Sequence, residues 1–148
     1  MTELNPPHSQ AEMDMSIFGP GHVQVYQQTK GETGYIWNGT TILLLTTKGR
    51  ASGQMHTTPL IFFRDGDKVA IVASKGGAPQ HPAWYLNLEA DPHVKVQIKD
   101  DVYDAVARTA GDAEREQLWP LAAKAWPQYD DYQKKTDRKI PIVVLDRA

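Results

Sequence analysis

The sequence predicts a mainly β, α+β fold, in which about six antiparallel strands form a small barrel with short helices attached. Apolar and β-branched runs such as residues 40–46 recur along the chain, whereas helix-like segments are few and short. Strands and helices therefore do not alternate as they do in a doubly wound parallel sheet. The 148 residues favour a single domain with a substantial core.

The chain opens with a stretch that has no clear apolar period. Residues 1–15 are polar and contain two adjacent prolines, so we expect a flexible arm, followed by one domain over residues 16–148. Within the domain, residues 22–29 suit a short helix. Residues 35–37 then begin or flank the sheet.

The next segments have strand patterns. Residues 40–46 (TTILLLT) have the composition of a buried strand. Residues 54–63 resume extended structure, but Pro59 cannot donate a ladder hydrogen bond and should lie at an edge or a bulge. The Asp-Gly pair at positions 65–66 is a strong hairpin signal that leads to an apolar strand over residues 69–72.

A helix and two more strands follow. Pro82 fits the first turn of a helix that continues to about residue 90, where an Asp-Pro pair ends it. Residues 94–98 alternate apolar and polar side chains, which is typical of a half-exposed strand. Residues 102–109 form the next strand.

The C-terminal part predicts two helices and a final strand. Asp112 is the expected N-cap of the first helix, and Pro120 is an expected kink. The inner face of this helix is expected to be Leu118, Leu121, Ala122 and Ala125. Residues 127–136 suit a second short helix, and residues 140–145 (IPIVVL) a last strand.

Composition excludes several classes of function. The formal net charge of −2, from 16 basic and 18 acidic residues, gives no global attraction to nucleic acid or to an anionic membrane. The absence of cysteine excludes disulfides, thiolate catalysis and Cys-ligated zinc or iron–sulfur clusters. We expect no signal peptide, because the first residues lack a basic stretch followed by an apolar core. We also expect no transmembrane helix, because no apolar run approaches the required length. We therefore expect a cytoplasmic protein.

The sequence contains none of the common nucleotide-binding or catalytic motifs. The Gly-Pro-Gly at residues 19–21 does not extend to G-x-G-x-x-G, and the glycines at 49 and 53 do not belong to a P-loop. No G-x-S-x-G nucleophile motif occurs. The five histidines show no metal-ligand spacing, so we expect no metal site.

Two basic turns that contain glycine follow predicted strands, at residues 47–53 (TKGRASG) and 73–77 (ASKGG). Glycine lets backbone N–H groups approach an anion, and arginine can bind a phosphate with two hydrogen bonds. The second turn leads to the helix at Pro82, whose N-terminus favours anions. Each turn alone is also common as a solvated hairpin or a flexible loop. Together they indicate a site for a flat ligand that carries phosphate.

Several aromatic and polar side chains have two interpretations. Trp84 and Tyr85 are adjacent on a predicted helix, so one of the two should be buried. Asn87 is a weak helix former that bonds either the protein or a ligand, with the structural role slightly favoured.

The aromatic residues near the C-terminus form a second group of this kind. Trp126, Tyr129 and Tyr132 would lie on one side of a helix if that helix continued past Pro127. Core packing and an exposed wall for a flat substrate are equally good interpretations of the three.

The motifs TTKGR-x-SG, PL, ASKGG, P-x-WY-x-NL and TDR-x-IPIVV together resemble the deazaflavin-dependent nitroreductase family of actinobacteria. The resemblance covers roughly residues 40–145. It implies a split β-barrel, which is also the fold of many FMN-binding oxidoreductases. It further implies an enzyme that uses coenzyme F-420 (an 8-hydroxy-5-deazaflavin), with the ring against the barrel and the phosphate-bearing tail over basic residues.

The resemblance also assigns site residues. The implied cofactor contacts are Lys48, Arg50, Ser52, Gly53, His56, Thr57, Thr58, Pro59, Ala73, Ser74, Lys75, Gly76, Gly77, Trp84 and Asn87. The implied substrate pocket is Ile61, Ser74, Trp126, Tyr129 and Tyr132. Of these, Ser74, Tyr129 and Tyr132 are the candidate catalytic residues, because a hydroxyl can donate a hydrogen bond or a proton to the reduced substrate.

The chain departs at four positions from the family member that activates nitroimidazole prodrugs. It has Ile61 and Trp126 where that enzyme has tyrosines, His56 where it has arginine, and Ala51 where it has lysine. Lys48 is a candidate to restore the lost positive charge. The departures weaken the expectation of nitroimidazole reduction more than the expectation of F-420 binding.

The predicted function is transfer of a hydride from reduced F-420 to an electron-poor substrate, namely a quinone, an activated enone or lactone, or a nitroaromatic. The alternatives are an FMN-dependent split-barrel oxidoreductase and a non-catalytic deazaflavin storage protein. A quinone substrate would bring peripheral contact with a membrane. We expect no nucleic-acid partner, and a monomer is slightly favoured over a homodimer.

Overall fold

The computed structural model describes residues 20–148, so the arm predicted over residues 1–15 lies outside the described residues. The helices are α1 (Pro20–Thr29), α2 (Ala83–Ala90), α3 (Asp112–Ala125) and α4 (Gln128–Lys134). The strands are β1 (Ile36–Trp37), β2 (Thr40–Lys48), β3 (Met55–Asp65), β4 (Lys68–Val72), β5 (His93–Ile98), β6 (Asp101–Thr109) and β7 (Ile142–Arg147). A 3-10 turn (Lys75–Gly77) lies between β4 and α2. None of the four helices is long and apolar enough to cross a membrane.

Six antiparallel strands close into a barrel because β2 pairs on both sides. On one side β2 pairs with β3, where Leu44 lies opposite Pro59. On the other side it pairs with β5, where Leu45 lies opposite Val96. The order from β2 is β3, β4, β7, β6 and β5, and the short β1 extends the sheet beyond β2. The predicted barrel of about six strands is confirmed.

The barrel has an apolar interior and a second apolar layer beneath the helices. The interior cluster contains side chains from all six strands, such as Leu43, Val96 and Val143, together with Tyr85 of α2. The outer cluster lies between β2, β3, β4 and β7 and the helices α1, α3 and α4. Because both faces of β2 are covered, its consecutive residues are apolar.

The first half of β3 is a free edge. Residues 55–61 pair with β2 alone, whereas β4 pairs with residues 62–65. Pro59 lies in the free stretch, so its missing N–H leaves no gap between β3 and β4. The predicted edge position of Pro59 is confirmed.

Three helix starts differ from the prediction. α1 already includes Pro20, the first described residue, two residues before its predicted start. Pro82 is the N-cap of α2 with an extended backbone (ψ 152°), not part of its first turn. Gly111, not Asp112, is the N-cap of α3. Asp112 is instead the first helical residue, and its carboxylate accepts a hydrogen bond from Lys139 Nζ at 2.7 Å.

The segment that carries Trp126, Tyr129 and Tyr132, called the aromatic segment below, does not continue the helix α3. α3 runs through Pro120 but ends before Trp126, whose backbone is extended (φ −150°, ψ 92°). The residue before a proline avoids helical geometry, and α4 starts only after Pro127. The helix does not continue past Pro127, so Trp126 does not share a helix face with Tyr129 and Tyr132.

Candidate active site

A cavity of about 450 Å³ opens beside the free edge of β3. Its other walls are the turn after β4, the start of α2 and the aromatic segment around α4. Predicted site residues in its lining are Thr58, Pro59, Ile61, Ser74, Lys75, Gly76, Trp84, Trp126, Tyr129 and Tyr132. Sequence reasoning missed Leu60 and Val72, whose apolar side chains look like ordinary strand residues, and gave Pro82 only a structural role.

Two hydroxyl groups of buried residues in this lining, those of Ser74 and Tyr129, are free to bond a ligand. Ser74 is 9% exposed and Tyr129 is 4% exposed. Neither hydroxyl forms a hydrogen bond within residues 20–148. Burial raises the pKa of Tyr129, so its hydroxyl stays protonated at neutral pH. Buried hydroxyls normally have partners, and these two therefore stand out as donors for a ligand in the cavity.

The Tyr132 hydroxyl, unlike that of Tyr129, has a hydrogen-bond partner within the described part of the chain. Its hydroxyl oxygen accepts a hydrogen bond from Trp126 Nε1 at 3.4 Å. The Tyr129 and Tyr132 rings meet edge to face, with 6.1 Å between their centroids. Trp126 is buried and stacks on Trp37 at 5.7 Å. The aromatic segment therefore packs into the core and lines the cavity at the same time, so it is not the exposed wall that was one of the two interpretations.

A second cavity, of about 380 Å³, lies at the first basic turn. Thr58 and Trp84 line both cavities, so the two adjoin. Predicted residues in the second lining are Arg50, Ser52, His56, Thr58, Trp84 and Asn87. The combined groove has an apolar chamber at one end and exposed cationic and hydroxyl side chains at the other.

Asn87 connects α2 to the first basic turn. Its Oδ1 accepts hydrogen bonds from the backbone N–H of Arg50 at 3.2 Å and from Arg50 Nη1 at 2.9 Å. Its Nδ2 donates to Thr47 Oγ1 at 3.3 Å. Asn87 is buried, so these contacts satisfy its amide within the protein. Asn87 therefore has a structural role, which was the slightly favoured interpretation. Through these hydrogen bonds it holds Arg50 at the groove.

The second basic turn has an unusual backbone. Lys75, Gly76 and Gly77 have φ angles of 47°, 64° and 84°, a left-handed conformation that glycine adopts freely and lysine does not. A Cβ on Gly77 would lie 2.7 Å from the Tyr132 carbonyl oxygen, whereas Gly76 faces open space. The turn is therefore packed against α4 on one side and open to the cavity on the other.

The remaining predicted cofactor residues line neither cavity. They are Lys48, Gly53, Thr57, Ala73 and Gly77. Thr57 Oγ1 bonds to Thr46 Oγ1 at 2.8 Å, and Ala73 is fully buried. Lys48 and Gly53 are exposed at the two ends of the first turn.

One residue near the site received no role from the sequence. Arg138 donates hydrogen bonds to backbone carbonyls on both sides of the second turn. The only signal for it was its place in the TDR-x-IPIVV motif. Residues 20–148 bring together no group of three His, Cys, Asp or Glu residues that could hold a metal ion.

Known proteins are similar to this chain in sequence. The model of the F-420H(2)-dependent quinone reductase family matches residues 20–147. An F-420H(2)-dependent quinone reductase from Mycobacterium tuberculosis is 38% identical over 130 residues, which cover 85% of this chain and 87% of that protein.

Known structures share the fold. A solved structure described as an F-420-H2 dependent reductase is 47% identical, with a TM-score of 0.66, and the match covers 71% of this chain and 93% of that one. A second, described as a domain-swapped dimer, has the same identity and TM-score and covers 71% of this chain and 79% of that one. The split-barrel prediction is confirmed.

These comparisons confirm the prediction of an oxidoreductase that uses F-420. They give no support to FMN as the alternative cofactor, because the family and the relative from Mycobacterium tuberculosis are both described by reduced F-420. With a family match from residue 20 to residue 147 and 38% identity to a relative over most of both chains, the protein belongs to the F-420H(2)-dependent quinone reductase family.

Proposed function

We propose that this protein reduces quinones in the 450 Å³ cavity, with F-420 bound along the two adjoining cavities. The observation that carries the proposal is the pair of unpaired hydroxyls, Ser74 and Tyr129, in an otherwise largely apolar lining. A cavity of this kind surrounds a flat substrate with apolar side chains and presents a few donors to its oxygen. When bound, reduced F-420 supplies the hydride.

The groove fits a flat ring with an anionic tail. The apolar end, between the β3 edge and Trp84, would hold the ring. Arg50, Ser52 and His56 at the other end would bind phosphate and carboxylate groups, and Lys75 in the second basic turn would add a cation along the path of the tail. Open space at Gly76 would let the backbone approach the ligand.

The hydroxyls would act on the quinone oxygen. Two-electron reduction places negative charge on that oxygen, and a fixed donor in a dry cavity stabilises the charge as it develops. Tyr129 is the better donor of the two tyrosines, because the Tyr132 hydroxyl already contacts Trp126. Ser74 stands at the start of the second turn and can donate to the same ligand.

The lining favours a quinone over a nitroimidazole. Ile61 and Trp126 replace the tyrosines that the resemblance places in the nitroimidazole-activating enzyme, and both make the cavity more apolar. An apolar quinone ring gains from this change, whereas a polar nitroimidazole loses hydrogen bonds. Enones and lactones remain secondary candidates because they also present one oxygen acceptor on an apolar frame.

Membrane contact and assembly are further parts of the proposal. A lipid-soluble quinone would bring the enzyme to a membrane surface for part of its cycle. Flotation with quinone-loaded and quinone-free vesicles tests this contact, and sedimentation velocity distinguishes a monomer from a dimer.

A binding and turnover experiment tests the proposed function. Fluorescence titration of the purified protein with oxidised F-420 and with FMN should show binding of F-420 in preference to FMN. Mixing the protein with reduced F-420 and menadione should then restore the absorbance of the oxidised deazaflavin. Absence of F-420 binding at micromolar concentrations contradicts the proposal, and binding without reoxidation supports a storage protein instead.

A further inference from the structure

Arg138 lies behind the second basic turn and lines neither cavity. We propose that Arg138 is a positioning residue, which holds the second basic turn (residues 73–77) in the conformation that binds F-420. The proposal rests on the proposed function, because it assigns that turn to the cofactor.

The guanidinium group bridges the two ends of the turn. Arg138 Nη1 donates to the Ala73 carbonyl oxygen at 3.1 Å, and Nη2 donates to the Ser74 carbonyl oxygen at 2.7 Å. Nε donates to the Ala78 carbonyl oxygen at 2.9 Å. A planar fork with fixed donor directions can span carbonyls on both sides of a turn, which a point charge cannot do.

Arg138 is therefore not a further cation for the cofactor tail. Each of its three side-chain nitrogens already has an acceptor in the protein. Nη1 also lies 3.1 Å from His81 Nδ1. Because guanidinium only donates, the histidine nitrogen is the acceptor in this contact.

The turn needs an external support because its own hydrogen bonds are few. Gly77 N–H donates to the Ser74 carbonyl at 2.9 Å, and Ala78 N–H donates to the Lys75 carbonyl at 3.1 Å. Glycine adopts the left-handed backbone freely, but Lys75 carries strain in it, and such strain persists only where surrounding contacts impose it. Arg138 supplies such contacts at residues 73, 74 and 78.

Hydrogen bonds that do not involve the Arg138 guanidinium hold the aromatic segment in place. Gln133 of α4 accepts a hydrogen bond from Arg115 Nη2 of α3 at 2.8 Å through its Oε1. Its Nε2 donates to the Arg138 carbonyl oxygen at 2.8 Å, a backbone contact that any residue at position 138 can keep. Loss of the Arg138 guanidinium should therefore release the turn but leave Tyr129 and Tyr132 in place.

The decisive variant is Arg138→Lys, which keeps the charge but cannot span the carbonyls. In the ligand-free protein, we expect hydrogen exchange at the amides of Gly77 and Ala78 to accelerate by about tenfold or more, while exchange in the barrel strands is unchanged. The dissociation constant for F-420 and the KM for reduced F-420 should each rise by about tenfold or more. The KM for menadione should change by less than about threefold, because the aromatic segment stays in place.

Two controls isolate the role of the guanidinium. Lys139→Ala removes the neighbouring surface cation, which pairs with Asp112, and should change neither exchange nor binding. Lys75→Asn removes a proposed tail contact but tolerates the left-handed backbone. It should weaken F-420 binding without accelerating exchange at Gly77 and Ala78. If Arg138→Lys does not fold, Arg138→Gln, which keeps two donors, replaces it with the same expected outcomes.

Unchanged exchange and unchanged F-420 binding in the position-138 variant would overturn the positioning role, even if Lys75→Asn shows that the turn binds the cofactor. Accelerated exchange with unchanged F-420 binding would also overturn it. If the parent protein fails to bind F-420, the proposed function and this inference fail together.

Discussion

Arg50 and Asn87, which are 37 positions apart, form one hydrogen-bonded unit at the basic end of the groove. The Asn87 side-chain oxygen accepts both the backbone N–H and the Nη1–H of Arg50. Two residues that the resemblance treats as separate cofactor contacts therefore depend on each other. A change at Asn87 should affect the ligand through Arg50.

Asn87→Ala should cost about 1–3 kcal/mol of stability, because it removes the partner of the Arg50 N–H and of the Thr47 hydroxyl in a buried position. It should also weaken F-420 binding by freeing the Arg50 side chain. Urea denaturation and fluorescence titration measure the two effects. Arg50→Ala is the matched comparison, since it should weaken binding with a smaller loss of stability. Equal stability of Asn87→Ala and the parent would contradict this role.

Arg50→Ala and Lys75→Asn should each weaken F-420 binding by about three- to tenfold, because both remove an exposed cation from the proposed path of an anionic tail. Salt screens such contacts, so the affinity of the parent should fall more steeply with salt than that of either variant. Titrations at several salt concentrations provide the measurement. Lys95→Ala, which removes a surface cation that pairs with Asp104 of β6 and lines neither cavity, is the control. Parent-like affinity in both groove variants would place the tail elsewhere.

Tyr129→Phe should lower kcat with menadione by about 100-fold while leaving stability within about 0.5 kcal/mol of the parent. The reason is that the Tyr129 hydroxyl has no hydrogen-bond partner within residues 20–148, so folding does not depend on it. Steady-state kinetics at saturating reduced F-420 measures kcat. Tyr132→Phe should have a smaller effect. Full activity of Tyr129→Phe together with loss of activity in Ser74→Ala would transfer the donor role to Ser74.

Glu114→Gln should remove a pH-dependent part of the stability. Hydrogen bonds from Arg108 and Lys68 lower the pKa of Glu114 to about 2. A carboxylate with a lowered pKa stabilises the fold above its unfolded pKa of about 4.3, and this contribution is lost as the pH falls toward 2.

The ion pairs around Glu114 are partly exposed, so we expect a loss of about 1 kcal/mol at pH 7. Denaturation of the variant should also depend less on pH between about 4.3 and 2. Asp104→Asn, in an exposed pair 3.5 Å from Lys95, should show no measurable change. A parent-like pH profile for Glu114→Gln would contradict the assignment.

Local patterns were sufficient for most of the secondary structure. Alternation over residues 94–98, the Asp-Gly turn and the edge position of Pro59 all follow from single-residue preferences and short periods, and the structure has them as predicted. Helix starts at prolines and glycines were less certain, because neighbouring positions can serve as N-cap with similar energies. The expectation about Asp112 failed for this reason.

Only part of the site could be predicted from the sequence. The basic turns and the motifs located the groove, and the resemblance named the cofactor that the family comparison then supported. The break between α3 and α4 follows from Pro127, but the burial of Trp126 depends on how the segment after α3 docks against Trp37. No periodicity encodes that docking.

By itself, the sequence determined the barrel class, the two basic turns and, through its motifs, the F-420-dependent family. Only the tertiary structure decided that β5 closes the barrel on β2, that Asn87 binds Arg50, that Arg138 spans the second turn and that the Tyr129 hydroxyl is left without a partner. The physical reason is the distance along the chain over which each kind of interaction acts. Strand and turn preferences act between near neighbours, whereas these contacts join residues up to 65 positions apart, and they form only where the whole barrel brings donor and acceptor together.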